Sequence, residues 1–145
     1  MIRVFIDGSS GTTGLRIADR LHSRSDLELI SLPEAQRKDT AARQDAIEQA
    51  DVVFLCLPDD AARESAALCR NDHTVIIDTS TAHRVSEDWA YGFPELEGFR
   101  EKIAASRRIA NPGCHASGFI SLVAPLVELG LLKKDAALSC FSVTG

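Results

Sequence analysis

Short hydrophobic runs alternate with amphipathic segments along the first half of the chain. The runs are rich in β-branched and aromatic residues, which is typical of buried strands in a parallel sheet. They are IRVFIDG (2–8), LELISL (27–32), DVVFLCLP (51–58) and TVIIDTS (74–80). The segments between them predict helices, one around residues 15–21 and the others at 39–50 and 59–70. This order predicts an α/β fold, a Rossmann-like doubly wound parallel sheet with right-handed crossovers.

The pattern is less regular after residue 85. Residues 86–98, which hold the only Trp and Tyr, predict an ordered loop. A helix (97–106), a short strand (107–111) and a long amphipathic helix from about Ala116 to Leu129 follow. Residues 137–145 predict a further strand with no element after it. We therefore expect the chain to be the N-terminal part of a longer protein.

Composition narrows the class of partner. The length of 145 residues is enough for one sizeable domain. A net charge of −5 argues against electrostatic binding of nucleic acid or an anionic membrane, so we expect a small soluble partner. The sequence has no apolar run that approaches the roughly 18 to 20 residues of a bilayer span, and its first residues do not resemble a signal peptide. These features predict a cytoplasmic protein.

The segment DGSSGTTG places three glycines between the first predicted strand and the first predicted helix. Glycine allows a tight turn and close approach of a pyrophosphate, and the free N–H groups of a helix N-terminus bind phosphate oxygens. The spacing is GxxGxxG, whereas the commonest dinucleotide motif is GxGxxG, and the alternative interpretation is a structural turn. The loop residues predicted to bind the cofactor are Gly8, Ser10, Gly11, Thr12, Thr13 and Gly14.

The residues after the second predicted strand bear on the choice between NAD and NADP. An acidic residue at that position would accept the ribose hydroxyls of NAD, but the chain has Ser31, followed by Arg37 and Lys38. A small hydroxyl followed by cations favours the 2′-phosphate of NADP. Glu34 weighs against this interpretation, and ordinary surface charges are the alternative for the two cations.

The four cysteines form no CxxC pair and no cluster with histidine, which argues against a bound metal and a disulfide framework. Cys56, Cys69 and Cys140 lie in predicted strands or on an apolar helix face and are most simply core residues. Cys114 follows Asn111–Gly113 where the last predicted helix opens. The helix dipole and free N–H groups would stabilise its thiolate and hold an oxyanion. A nucleophile and a buried structural thiol both remain open for Cys114.

The segment DTSTAHR follows the fourth predicted strand, at the expected cleft. The planar guanidinium of Arg84 suits a phosphate or carboxylate. His83 has two interpretations, an acid–base group or a structural or solvated ring. His115 adjoins Cys114, but adjacent side chains at a helix start diverge, which argues against an ion pair with the thiolate.

Five blocks together resemble the shorter type of N-acetyl-gamma-glutamyl-phosphate reductase: FIDGSSGTTGLRIADRL, LCLPDDAARE, DTSTAHRV, YGFPEL and IANPGCHASGFISLVAPLVELGLL. Their order is that of the family, and the resemblance covers nearly the whole chain. The resemblance implies NADPH-dependent reduction of an acyl phosphate to a semialdehyde by a homo-oligomer, a dimer or a tetramer. It also implies an NADP-binding Rossmann domain over 1–113 and the start of an α+β catalytic and dimerisation domain over 114–145.

The resemblance assigns the nucleophile to Cys114 and the substrate-anion arginine to Arg84. It also implies that Pro58 contacts the cofactor and that Ser80 and Asn111 contact the substrate. The NPGC segment favours this family over the aspartate-semialdehyde dehydrogenases, in which an Asn-Cys pair lacks the glycine between them. The family usually has tyrosine after the cysteine, where this chain has His115. Its acid–base histidine and an SGGG segment are expected beyond residue 145.

Two alternatives belong to other classes. A short-chain dehydrogenase or epimerase needs a tyrosine with a lysine four residues later, but Tyr91 is followed at that distance by Glu95. The second alternative is a noncatalytic NADP-binding fragment that lacks the acid–base histidine. It predicts that the isolated chain binds cofactor without turnover.

Overall fold

The computed structural model describes residues 1–143 of the chain, and these residues form a six-stranded sheet in which every pairing is parallel. The strand order is β2-β1-β3-β4-β6-β5. The strands are β1 (Ile2–Asp7), β2 (Leu27–Ile30), β3 (Val52–Leu55), β4 (Val75–Asp78), β5 (Ala90–Tyr91) and β6 (Arg108–Ala110). The prediction of a Rossmann-like α/β fold is thereby confirmed.

Five helices accompany the strands in the described residues, and β4 is joined to β5 by a segment without a helix. The helices are α1 (Thr12–His22), α2 (Thr40–Gln49), α3 (Asp59–Leu68), α4 (Phe99–Ala105) and α5 (Cys114–Glu128), with one 3-10 turn at Glu34–Gln36. Asp39 caps α2 by accepting a hydrogen bond from the backbone N–H of Ala42 at 2.8 Å. Two acidic residues, Asp59 and Asp60, stand in the first turn of α3, where they complement the helix dipole.

The chain reverses its direction of winding at β1. From β1 it passes to β2 on one side, and it then crosses back to β3 on the other side. Ligands of open α/β sheets bind outside the carboxyl ends of the strands at such a switch point. The predicted glycine loop follows β1 at this end of the sheet.

The main hydrophobic cluster lies on one face of the sheet, whereas on the other face Val4 and Ile6 of β1 are buried. Val53 and Leu55 of β3 and Ile76 of β4 are fully buried and pack with Phe5 and with Ile47 of α2. Their neighbours on the opposite face, such as Phe54 and Ile77, are only half-buried. That second face contributes to the walls of a cavity beside α5, so it remains partly open to solvent.

Two predictions about elements were wrong, those for residues 86–98 and 137–145. Residues 86–98 include β5, a two-residue edge strand that pairs with β6. The last helix begins at Cys114, within two residues of the predicted start near Ala116. Residues 137–143 form no strand, because no described segment pairs with them, and Thr144 and Gly145 of that predicted strand lie outside the described residues. Within residues 1–143, no helix has the length and apolar character needed to cross a membrane.

Candidate active site

The glycine loop makes its turn without room for two side chains. Gly8 has a φ of +89°, and a Cβ there would lie 2.2 Å from the carbonyl oxygen of Cys56. A Cβ on Gly14 would lie 2.4 Å from the carbonyl oxygen of Gly8. The close packing of β1 against β3 and of α1 against the loop therefore requires glycine at both positions.

Gly11 differs from these two glycines. It is the N-cap of α1, and the nearest heavy atom to a Cβ there would be the carbonyl oxygen of Gly8 at 3.5 Å, an ordinary contact. The fold itself therefore tolerates a side chain at Gly11. Glycine at this position leaves the first turn of α1 open to a bound group, and that turn presents unpaired N–H groups that suit a pyrophosphate.

A cleft of about 620 Å³ adjoins the loop. Its walls bring Gly8 and Ser10 together with the residues predicted to recognise the 2′-phosphate, Ser31, Arg37 and Lys38. The residue types and the volume fit the adenosine part of a dinucleotide. The wall also includes Glu34, whose negative charge weighs against binding of the 2′-phosphate of NADP. Pro58 is the N-cap of α3, after β3 on the same edge of the sheet, and its contact with a cofactor stays a prediction.

We expect the substitution Gly11→Ala to lower the affinity for NADPH by at least about tenfold while leaving the free energy of unfolding nearly unchanged. The new methyl group would occupy space that the protein leaves open and that the pyrophosphate needs. Fluorescence titration with NADPH and urea unfolding measure the two quantities. Gly118→Ala, in α5 with open space around it, is the matched control and should keep the affinity. Unchanged binding by Gly11→Ala would contradict this role.

Cys114 borders a second cavity, of about 740 Å³. The thiol-bearing residue is exposed and is the first residue of α5, with Gly113 as the N-cap. The cavity brings Cys114 together with Thr13 of the glycine loop and with Arg84 and Asn111. The predicted nucleophile, a cation and the loop predicted to bind the cofactor therefore meet at one place.

Arg84 connects two loops at this cavity. Its Nε donates to the carbonyl oxygen of Asn111 at 3.0 Å, and its Nη2 donates to that of Thr79 at 3.1 Å. Its Nη1 would lie 2.5 Å from a Cβ at position 113, so Gly113 is needed for the guanidinium to fit. The cation is thus held directly beside the turn that precedes Cys114, with further N–H groups left to bind an anion.

The segment between β4 and Arg84 folds around the buried carboxylate of Asp78. Its Oδ1 accepts the backbone N–H of Ser80 at 2.9 Å, and its Oδ2 accepts the Ser80 hydroxyl at 2.8 Å. Oδ2 also lies 2.7 Å from Nδ1 of His83, whose ring stacks on Trp89 with centroids 3.9 Å apart. The Ser80 hydroxyl is engaged in this network, and the predicted contact of Ser80 with the substrate stays a prediction.

The same segment is fixed to α3 from the other side. Asp59 accepts the backbone N–H and the hydroxyl of Thr81 at 3.0 and 2.5 Å. These hydrogen bonds hold the pKa of the Asp59 carboxyl below its usual value, chiefly through the Thr81 hydroxyl. The sequence analysis did not predict the roles of the Asp59 and Asp78 carboxylates. The one available signal was that Asp78 ends a hydrophobic strand, where a charged residue needs a partner.

The other cysteines divide into two groups. Cys56 and Cys69 are half-buried, and burial raises the pKa of the Cys56 thiol. Cys140 was predicted to be a core residue, but it is exposed because the described segment around it pairs with no strand.

In the described part of the chain, no group of three or more His, Cys, Asp or Glu side chains is placed to hold a metal ion.

Sequence reasoning also missed a buried ion pair at the end of β1. Nε and Nη2 of Arg43 donate to Oδ2 of Asp7 at 3.1 and 2.9 Å, and the Ser65 hydroxyl donates to the same oxygen at 2.6 Å. Nη1 of Arg43 reaches Glu64 at 3.3 Å. The network joins β1, α2 and α3 immediately before Gly8. Asp7, Arg43 and Glu64 also line the 620 Å³ cleft.

Comparisons with known proteins agree with this geometry. The semialdehyde dehydrogenase NAD-binding domain family matches residues 3–106. N-acetyl-gamma-glutamyl-phosphate reductases from Chelativorans sp. and Brucella ovis are each 54% identical, over 144 and 145 residues, which is 99% of the chain. The aligned part is 46% and 47% of those relatives, so the chain spans about half the length of the curated relatives it matches.

Solved structures share the fold at low sequence identity. An aspartate semialdehyde dehydrogenase from Francisella tularensis has a TM-score of 0.64 at 16% identity, covering 90% of this chain and 42% of that one. The corresponding enzyme from Candida albicans, solved with NADP, has a TM-score of 0.60 at 16% identity, covering 88% and 47%. The all-parallel sheet, the glycine loop at its switch point and the match over residues 3–106 lead to one conclusion: the chain belongs to the semialdehyde dehydrogenase NAD-binding domain family.

Proposed function

We propose that the full-length protein reduces N-acetyl-gamma-glutamyl phosphate to N-acetylglutamate semialdehyde, with NADPH as the reductant and with release of phosphate, in arginine biosynthesis. The observation that carries the proposal is the single cavity bordered by Cys114, Arg84 and Thr13 of the glycine loop. The substrate is taken from the relatives named N-acetyl-gamma-glutamyl-phosphate reductase at 54% identity.

The chemistry begins at Cys114. Its thiolate attacks the acyl carbon, the carbon–oxygen bond to phosphate breaks, and a thioester forms on Sγ. Free N–H groups in the first turn of α5 stabilise the oxyanion, and Arg84 offers its remaining N–H groups to the departing phosphate or the substrate carboxylate. When bound, the reduced nicotinamide supplies a hydride for the thioester carbon, and cleavage of the carbon–sulfur bond then releases the semialdehyde and returns Cys114 as the thiolate. Asn111 precedes the Cys114 turn and borders the same space, which supports its predicted contact with the substrate.

The stoichiometry tests this function. With the acyl phosphate and NADPH as substrates, the full-length protein is expected to oxidise one NADPH for each phosphate released. Absorbance of the nicotinamide and a colorimetric phosphate assay measure the two products. NADPH oxidation without phosphate release, or no turnover at all, would contradict the proposal.

The cleft at Ser31 supports a preference for NADPH. We expect Arg37→Ala and Lys38→Ala each to lower the affinity for NADPH about tenfold, because each removes a charge-assisted contact with the 2′-phosphate. Affinity for NADH, which lacks that phosphate, should change less than about twofold. Arg20→Ala removes an exposed cation at the far end of α1 and serves as the control. Equal losses for both cofactors would contradict the assignment.

We also propose that the NADP-binding domain comprises residues 1–113 and that residues 114–145 begin a catalytic and dimerisation domain. In support, no residue of α5 is buried against the rest of residues 1–143. Its apolar side chains remain exposed, Leu122 by 74% and Leu126 by 43%. The same proposal includes that the full-length protein forms a homo-oligomer and that it is cytoplasmic.

A further inference from the structure

We propose that His83 is a positioning residue, which together with Asp78 holds Arg84 against the turn that carries Cys114. The inference rests on the proposed function only in taking Cys114 as the reactive thiol. It assigns a role to a histidine for which the sequence left an acid–base interpretation open.

The ring of His83 is fixed on two sides. Nδ1 lies 2.7 Å from Oδ2 of Asp78, a carboxylate with no exposed side-chain surface. The ring stacks on Trp89 with an interplanar angle of 11°, and Trp89 packs in turn against the hydrophobic core. The His83 side chain is 13% exposed. Its position is therefore determined by buried groups that belong to the sheet.

The backbone around His83 is equally constrained. The backbone N–H of Ala82 donates to the Ser80 hydroxyl at 3.1 Å, and the carbonyl oxygen of Ala82 accepts from Arg63 at 3.3 Å. On the other side, the backbone N–H of Ser86 donates to the carbonyl oxygen of His83 at 3.1 Å. A shift of the His83 ring would move the next residue along the chain, which is Arg84.

Arg84 has little tolerance for such a shift. Two of its nitrogens donate to the carbonyl oxygens of Asn111 and Thr79, and its third packs against Gly113 at a distance that excludes a Cβ. The fixed chain of contacts therefore runs from Asp78 through His83 and Arg84 to the N-cap of α5. Loss of the ring contact would let the guanidinium leave the Cys114 cavity.

The position of His83 argues against direct acid–base work. Within residues 1–143, the walls of the cavity at Cys114 include Thr79 and Arg84 but not His83. Nδ1 is occupied by Asp78 and one ring face by Trp89. Nε2 is the one ring nitrogen that Asp78 does not contact, and His83 does not line the cavity. His83 is therefore not placed to exchange a proton with a group bound there.

The test measures positive charge beside the thiol. Alkylation of Cys114 by iodoacetate, an anion, and by iodoacetamide, a neutral reagent, is followed by peptide mass spectrometry, and the ratio of the two rates is taken. Arg84→Ala should lower this ratio about fivefold, the effect of one unit charge at close range in water. His83→Ala should lower it by a similar factor. The same ratio at Cys140, which is exposed and does not border the cavity at Cys114, is the internal reference.

His83→Asn separates positioning from acid–base chemistry. The asparagine amide nitrogen occupies the place of Nδ1 and can donate to Asp78, but it has no titratable ring. We expect His83→Asn to retain at least about half of the wild-type ratio. A ratio as low as that of His83→Ala, or a wild-type ratio in His83→Ala, would overturn the inference. NADPH titration of each variant confirms that the fold is intact, and because no acyl phosphate is used, the result is independent of the reductase assay.

Discussion

Replacing Cys114 by serine in the full-length protein is expected to lower turnover of N-acetyl-gamma-glutamyl phosphate by at least about three orders of magnitude. The serine hydroxyl stays protonated near neutral pH, so the helix N-terminus no longer holds a usable nucleophile. Affinity for NADPH should be unchanged, since the glycine loop and its cleft are untouched. NADPH oxidation and phosphate release measure the first expectation, and fluorescence titration measures the second.

Cys140→Ser is the matched control for this substitution. Cys140 is also exposed and lines a groove beside α5 that includes Cys114, so general damage to this surface would affect both variants alike. We expect Cys140→Ser to keep nearly full turnover. In the absence of NADPH, intact-protein mass spectrometry should show the acyl adduct on the wild type and on Cys140→Ser but not on Cys114→Ser. Retention of most activity by Cys114→Ser would rule out the covalent route.

The features that sequence predicted are those encoded by neighbouring residues. The hydrophobic runs predicted β1 to β4 and the short β6, because most positions in these strands are apolar and β-branched or aromatic residues are frequent among them. The glycine spacing predicted the loop between β1 and α1, because glycines allow the tight turn and the close packing of the helix on the strand. The Pro-Gly pair before Cys114 gave the start of α5 to within two residues.

The features that sequence missed depend on residues far apart in the chain. Asp7 and Ser65 are 58 residues apart and meet only because α3 packs beside the end of β1. The pair of Asp78 and His83 is local, but its burial depends on Trp89 and on the core beneath it. β5 was missed because a two-residue edge strand has no periodicity of its own. The tail at 137–143 has a strand-like composition, but a strand needs a neighbouring strand to pair with.

Breaking the buried pair of Asp7 and Arg43 should strongly destabilise this fold. Asp7 is 4% exposed and Arg43 is 8% exposed, and Ser65 alone would remain on the carboxylate if the arginine were removed. We expect Arg43→Ala to lower the free energy of unfolding by about 3 to 5 kcal/mol, the usual cost of leaving one member of a buried ion pair without its partner. Urea unfolding followed by far-ultraviolet circular dichroism measures it.

Arg24 provides the matched control, because it also forms two hydrogen bonds with an aspartate, Asp26, but on the surface, where both side chains are 55% exposed. Arg24→Ala should leave the stability nearly unchanged, since water replaces the lost partner. The double variant Asp7→Asn with Arg43→Met should be more stable than Arg43→Ala, because it leaves no buried charge unpaired. If Arg43→Ala cost no more than Arg24→Ala, the buried network at the end of β1 would contribute no more to stability than an exposed ion pair.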